Sequence, residues 1–172
     1  MIFKLFRKPA PDDAVYATYN SIVAQSRQPH FYASWGVPDT VTGRFDMISL
    51  HLALLLRRLR ADPAGSAFGQ QLVDLFFRDM DRSLRQMGAG DLSVPKKMRD
   101  MGKLFYGTAT ALDAALADPD PKALESVLIK NIYGGVAHVG AGPLANHVKA
   151  EASTYELRPI SALIGGAEGV AA

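Results

Sequence analysis

Gly43-Arg44-Phe45-Asp46-Met47-Ile48-Ser49-Leu50-His51-Leu52-Ala53-Leu54-Leu55-Leu56-Arg57-Arg58-Leu59 is the stretch from which the fold is read. Phe45, Ile48, Leu52, Leu55 and Leu59 recur at alternating intervals of three and four, the spacing of one helical face. Leu50, Leu54 and Leu56 widen that stripe until the helix is apolar nearly all round. Such a helix must be enclosed by others, so it is expected at the centre of the domain. It is no membrane span: Ser49 and His51 interrupt it, and it runs straight into Arg57, Arg58 and Arg60, well short of about 18 uncharged residues. Thr42 is expected to cap its start.

Further helices follow on either side. Asp12 and Asp13 open a first one carrying Val15, Tyr19, Ile22 and Val23 on one face, ended by Pro29. Between it and the central helix, His30 to Gly43 hold the single Trp, Phe31 and Tyr32, and are expected to fold back over the helices as an ordered loop. Asp62-Pro63 pairs an acidic cap with a proline at the first helical position. Phe68, Leu72, Leu75, Phe76, Met80, Leu84 and Met87 line the helix that follows, with Gly88 as its stop. Pro95 opens the next helix, with Met98, Met101, Phe105, Thr108, Leu112 and Leu116 inward. Asp120-Pro121 starts a shorter one, ended by Gly134-Gly135, and a flexible glycine-rich connector leads to a last helix opened by Pro143. No strand-like alternation and no repeat appears, and the links are mostly short. The expected fold is therefore all-α, a single bundle-like domain of about six helices. Residues 1–11 read as a basic and apolar N-terminal arm, 12–158 as the helical domain, and 159–172 as a Gly- and Ala-rich flexible tail.

Composition narrows the function. No cysteine is present, which excludes thiolate metal sites, disulfides and cysteine nucleophiles. Residues 1–107 carry 15 basic and 10 acidic groups, and residues 108–172 carry 4 and 7. That asymmetry can orient a partner or a lipid surface but is too mild for a nucleic-acid tract, so no direct DNA binding is expected. Ile2, Phe3, Lys4, Leu5, Phe6, Arg7 and Lys8 fit either a strand or frayed arm, or a membrane-surface foot. They are too few for a secretory signal.

Catalytic chemistry finds little to use. His30, His51, His138 and His147 form no HExxH pattern, and the sequence shows no acidic residue at ligand spacing from two of them. His51, inside the most apolar helix, reads as a core histidine bonded to backbone or carboxylate. The run Gly134 to Gly142 lacks the Gly-Lys-Ser/Thr ending of a phosphate loop, and no serine lies in a nucleophile-elbow setting. No catalytic residue, cofactor or metal is expected. A haem-binding enzyme built on His51 and Tyr106 is a remote third reading.

The densest polar cluster lies on the two helices opened by Pro63 and Pro95. Arg78, Asp79, Asp81, Arg82 and Arg85 crowd the first, and Lys96, Lys97, Arg99, Asp100 and Lys103 the second. Two readings fit: a solvated face laced with i, i+4 pairs such as Asp81–Arg85, or a docking surface with Met87, Met98 and Met101 nearby.

In this region the sequence resembles a known family. Phe77 to Gly88, then Asp91-Leu92-Ser93-Val94-Pro95-Lys96-Lys97-Met98-Arg99-Asp100-Met101, then Phe105-Tyr106-Gly107, are similar to the core of the ubiquinol–cytochrome c chaperones. Gly43-Arg44-Phe45-Asp46, Leu50-His51-Leu52, Arg58-Leu59 and Asn131-Ile132-Tyr133 fit the same family, so the resemblance spans Tyr16 to Tyr133. It implies a non-catalytic factor, expected to bind newly made cytochrome b during assembly of respiratory complex III. Association with the ribosome and a small partner protein, as in mitochondrial members, is part of what it implies. A bacterial, cytoplasmic member is expected, peripheral at the inner face of the plasma membrane and monomeric when free. The client surface expected from the resemblance and the charge pattern comprises Asp79, Asp81, Arg82, Arg85, Lys96, Lys97, Met98, Met101 and Tyr106. The competing reading is a membrane-surface or ribosome-associated adaptor that holds no apolar client.

Overall fold

The computed structural model describes residues 12–165, and among them it is built from helices and connecting turns. Six longer helices occur: α1 (Asp13–Ser26), α3 (Val41–Leu59), α4 (Pro63–Gln86), α5 (Val94–Ala117), α6 (Pro121–Asn131) and α7 (Ala141–Leu157). Two short ones, α2 (Pro29–Ala33) and α8 (Ile160–Leu163), complete the order. The N-terminal arm lies outside the described residues.

Helix α3 is the axis of the domain. Every residue from Met47 to Leu55 is buried, and the helix touches α1, α4, α5, α7 and α8. Two turns and more without a solvent face require partners on all sides, which the apolar widening by Leu50 and Leu54 demands. Burying each such leucine stabilises the fold by about 1.5–3 kcal/mol. Where α3 leaves the core, Arg57, Arg58 and Arg60 take over. Arg58 donates from Nε to the Tyr155 carbonyl (3.1 Å) and from Nη2 to the Arg158 carbonyl (3.0 Å), at the exposed end of α7. Arg57 pairs with Glu156, and Arg60 with Asp113 of α5.

Local chemistry sets the ends. Asp12, Asp62 and Asp120 each accept a backbone N–H in the first turn of α1, α4 and α6. Gly88 ends α4 at φ 83°, with its own N–H bonded to the Arg85 carbonyl and the Ala89 N–H to the Leu84 carbonyl. This is the paired closing bond pattern that a left-handed glycine permits. Four expectations need correction. Thr40, not Thr42, caps α3, accepting from the Gly43 N–H at 3.0 Å. The segment after Pro29 begins with a helical turn rather than being loop throughout, because proline at its first position suits one and Phe31 has a fully buried site to fill. The tail expected from Pro159 instead starts with α8, where Leu163 is fully buried against α3 and α4; residues 166–172 lie outside the described residues.

The fourth correction concerns the connector between α6 and α7, which is held rather than loose. The Tyr133 hydroxyl donates to the Trp35 carbonyl (2.9 Å), and the Tyr133 ring stacks on His138 with centroids 4.6 Å apart. The Gly140 N–H donates to His138 Nδ1 (3.0 Å). A Cβ on Gly140 would lie 1.8 Å from the Trp35 carbonyl oxygen, so only glycine lets these backbones approach. Gly140→Ala is expected to cost at least about 2 kcal/mol in urea unfolding, because backbone rather than a yielding side chain must move.

Burial raises the Asp46 carboxyl to about 7. The folded chain then keeps a proton that the unfolded chain releases near about pH 3.9, so this contribution to stability is complete below that pH and lost as pH rises through about 7. Asp46→Asn is expected to stabilise the protein by about 1–2 kcal/mol at roughly pH 8, allowing for partial exposure, and by less at roughly pH 5. Urea titrations at the two pH values check this.

Candidate functional site

An apolar groove of about 300 Å³ opens where the first turns of α3 meet the end of α4 and the first half of α5. Helix α3 supplies Val41, Arg44, Phe45 and Ile48, which share one face at helical spacing. Helix α4 supplies Met80, Ser83, Leu84 and Met87 at the same spacing, and α5 adds Met101. Three methionines thus line one groove. Met80 is buried and forms its floor, Met101 is half-buried, and Met87 stands 53% exposed at the mouth beside Val41 at 60%. Unbranched thioether side chains adapt to differently shaped apolar partners. Arg27 and Arg44 stand at the edge, and both also line a larger, more polar cleft with Tyr32 and Asp39. Arg44 Nε is held by Asp39 at 2.7 Å, which lowers the Asp39 carboxyl below its usual range.

The residues expected to form the client surface fall in several places. Met101 lines the groove; Met98 is half-buried against the core one turn earlier. Tyr106 is 56% exposed and belongs to a second groove with Phe105, Leu56 and Arg60, on another part of the molecule. Arg82, Lys96 and Lys97 are exposed. The acidic members are engaged within the chain. Asp79 accepts from the Tyr19 hydroxyl at 2.9 Å, tying α4 to α1, and burial followed by this carboxylate pushes the Tyr19 phenol well above its usual range. Asp81 receives Arg85 Nε at 2.7 Å, the expected i, i+4 pair, and Arg85 also reaches Asp91 across the α4–α5 turn. Sequence reasoning missed Arg27, Val41 and Arg44 as groove residues. The signal available was the coincidence of two apolar faces, 41/45/48 and 80/84/87, but their meeting is a tertiary fact.

Among the described residues one group has the makings of a metal or proton site: His51, His147 and Glu151. His51 is fully buried and its Nδ1 lies 2.7 Å from the Met47 carbonyl, which agrees with the backbone-bonded core histidine read from the sequence. In sequence, an acidic residue stands at ligand spacing from one histidine alone, but the fold brings in a second. Glu151 follows His147 by one helical turn on α7, and the packing of α7 on α3 brings His51 to both.

The profile of the family described as ubiquinol-cytochrome C chaperone matches residues 33–166. The chain belongs to the ubiquinol–cytochrome c chaperone family. The match includes every groove residue except Arg27, and it carries the resemblance past Tyr133 through α7 and α8. A Xenopus laevis protein named ubiquinol-cytochrome-c reductase complex assembly factor 1 is 23% identical over 120 residues, covering 69% of this chain. The chain spans 60% of the length of that curated relative. The crystal structure of the Cbp3 homolog from Brucella abortus is 39% identical, with a TM-score of 0.84 over 91% of this chain and 88% of that one. No helix among the described residues of this chaperone-family chain is long and apolar enough to cross a membrane.

Tyr19→Phe should cost about 0.5–1.5 kcal/mol of unfolding free energy by deleting the bond to Asp79. An unchanged urea midpoint would show Asp79 to be unengaged and available to a partner.

Proposed function

We propose that this protein is a non-catalytic assembly chaperone of the ubiquinol–cytochrome c reductase complex, and that it holds an apolar helix of unassembled cytochrome b in the groove between α3, α4 and α5. The observation that carries this reading is the methionine-lined groove itself, found in a chain of this family. A groove of about 300 Å³ flanked by helices suits a few side chains on one face of an amphipathic or membrane-derived helix, the helix-in-groove mode of recognition. Met80, Met87 and Met101 allow successive client side chains to seat without a fixed complementary shape. Arg27 at the edge, beside an Arg44 already paired with Asp39, favours a client segment that ends in a carboxylate side chain or in the carbonyl end of a helix.

The exposed hairpin residues Arg82, Lys96 and Lys97, with Met98, extend the same proposed client surface along α4 and α5, and Tyr106 stands apart from it in the second groove. Contact with the inner-membrane surface through Ile2, Phe3, Lys4, Phe6, Arg7 and Lys8 fits the task, since the client is made at the membrane. A cytoplasmic location at that surface, with transient ribosome or small-partner contact, belongs to the same proposal. Liposome flotation with and without residues 1–8 measures the lipid contribution separately from client binding.

A photo-crosslinking residue at Met87 should capture cytochrome b from mildly solubilised membranes. Met101→Lys should weaken that recovery roughly tenfold or more, since about 1.4 kcal/mol corresponds to each factor of ten. Equal capture by the Met101→Lys protein, or none by the parent chain, would overturn the groove as the client site.

A further inference from the structure

Further along α3 than the groove, three donor atoms converge from two helices. His51 Nε2 lies 3.3 Å from His147 Nε2 and 3.6 Å from Glu151 Oε2, and His147 Nε2 lies 3.3 Å from the same carboxylate oxygen. The proton positions follow from the partners. A carbonyl can only accept, so His51 Nδ1 carries its proton toward Met47, and the neutral ring presents a lone pair at Nε2. Glu151 is fixed at its other oxygen, where Oε1 accepts from Gln25 Nε2 (2.8 Å) and from the Tyr155 hydroxyl (3.1 Å). Its Oε2 is buried and accepts no aligned hydrogen bond, although it faces both imidazoles. With its proton on Nε2, His147 can donate to His51 Nε2 at 3.3 Å, which leaves the buried Glu151 Oε2 without an aligned donor; a cation between the three atoms would satisfy all of them.

We propose that His51 Nε2, His147 Nε2 and Glu151 Oε2 bind one zinc ion, with water as fourth ligand, and that the ion pins α7 onto α3. The distances choose the geometry. Metal–ligand bonds of about 2.0–2.1 Å at tetrahedral angles set donor atoms about 3.3–3.4 Å apart. A facial octahedral site of two histidines and a carboxylate would bring them to about 3.0 Å. Two of the observed edges, both 3.3 Å, match the tetrahedron, and the third, at 3.6 Å, is longer still than the octahedral value. The outer partners are those a zinc site uses: a ring N–H donated to a backbone carbonyl, and a carboxylate anchored through its second oxygen. Phe31 closes one side, its ring centroid 5.4 Å from His51 and 5.1 Å from His147. The side chain of His147 is 24% exposed, which leaves an entry path for the ion and room for the water. The donors are 96 residues apart in sequence, so the ion would act as a cross-link between the middle and the end of the domain.

The test uses the full chain, stripped with a chelator and titrated with zinc alone. One equivalent should bind saturably and raise the thermal midpoint. Cobalt(II) in its place should give the intense visible absorption of a tetrahedral site rather than the weak bands of an octahedral one. Loss of an outer partner already costs about 10–100-fold in affinity, so removing a ligand should abolish binding. His147→Ala is the first variant, because that residue is partly exposed and the fold should survive its loss; Glu151→Gln, which keeps the side chain's size, is the second. Circular dichroism of each variant establishes folding before titration. Absence of saturable zinc binding by the parent chain, or equal binding by folded His147→Ala, would overturn the site and leave a hydrogen-bonded polar cluster.

Discussion

The enclosure of α3 is the constraint on which the rest of this structure depends. With Met47 to Leu55 all buried, no face of that segment can be left to water, and five other helices are drawn against it. Each of these needs only one apolar stripe, which is why α4 and α5 can carry dense charge on their outer sides. Inside the axis His51 satisfies its Nδ1 by donating to the carbonyl one turn behind it, whereas the buried Ser49 hydroxyl makes no hydrogen bond. The arginine run beyond Leu56 marks the end of enclosure and binds the ends of neighbouring elements through their carboxylates and free carbonyls.

The two features with functional content sit at places where this enclosure is locally altered. Toward its N-terminus α3 projects Val41 and Arg44 past the surrounding helices, and the gap against α4 and α5 is lined with methionine. On another side, α7 and the short α2 cover α3 with imidazoles and a phenylalanine instead of aliphatic side chains. The first region is open and adaptable, suited to receiving a varied apolar surface. The second is packed and largely buried.

Charge is distributed in a way that separates partner recognition from self-stabilisation. The carboxylates Asp79 and Asp81 of α4 are occupied, the first by a buried tyrosine and the second by Arg85, which also holds Asp91 of the α4–α5 turn. At the groove edge Arg44 is likewise paired, with Asp39, beside the exposed Arg27. The sequence shows which charges neighbour one another along a helix, but not that Asp79 is engaged by Tyr19, which lies 60 residues away.

The sequence by itself determined the helices, their order and the central place of α3, since helical periodicity, proline at first positions and aspartate caps are local and act within a few residues. It also determined the family, through the order and spacing of the runs from Gly43 to Tyr133. Only the tertiary structure decided which faces meet. Residues 41, 45 and 48 face 80, 84 and 87 across a groove, and Trp35 fits against Gly140 so tightly that a methyl group is excluded. The same holds for His51, which reads as a satisfied core residue because its Nδ1 bond is intrahelical. Its Nε2 meets His147 and Glu151 only because α7 packs on α3. Pairings across such distances depend on the angle and depth at which helices pack, which side-chain volumes throughout the core set together.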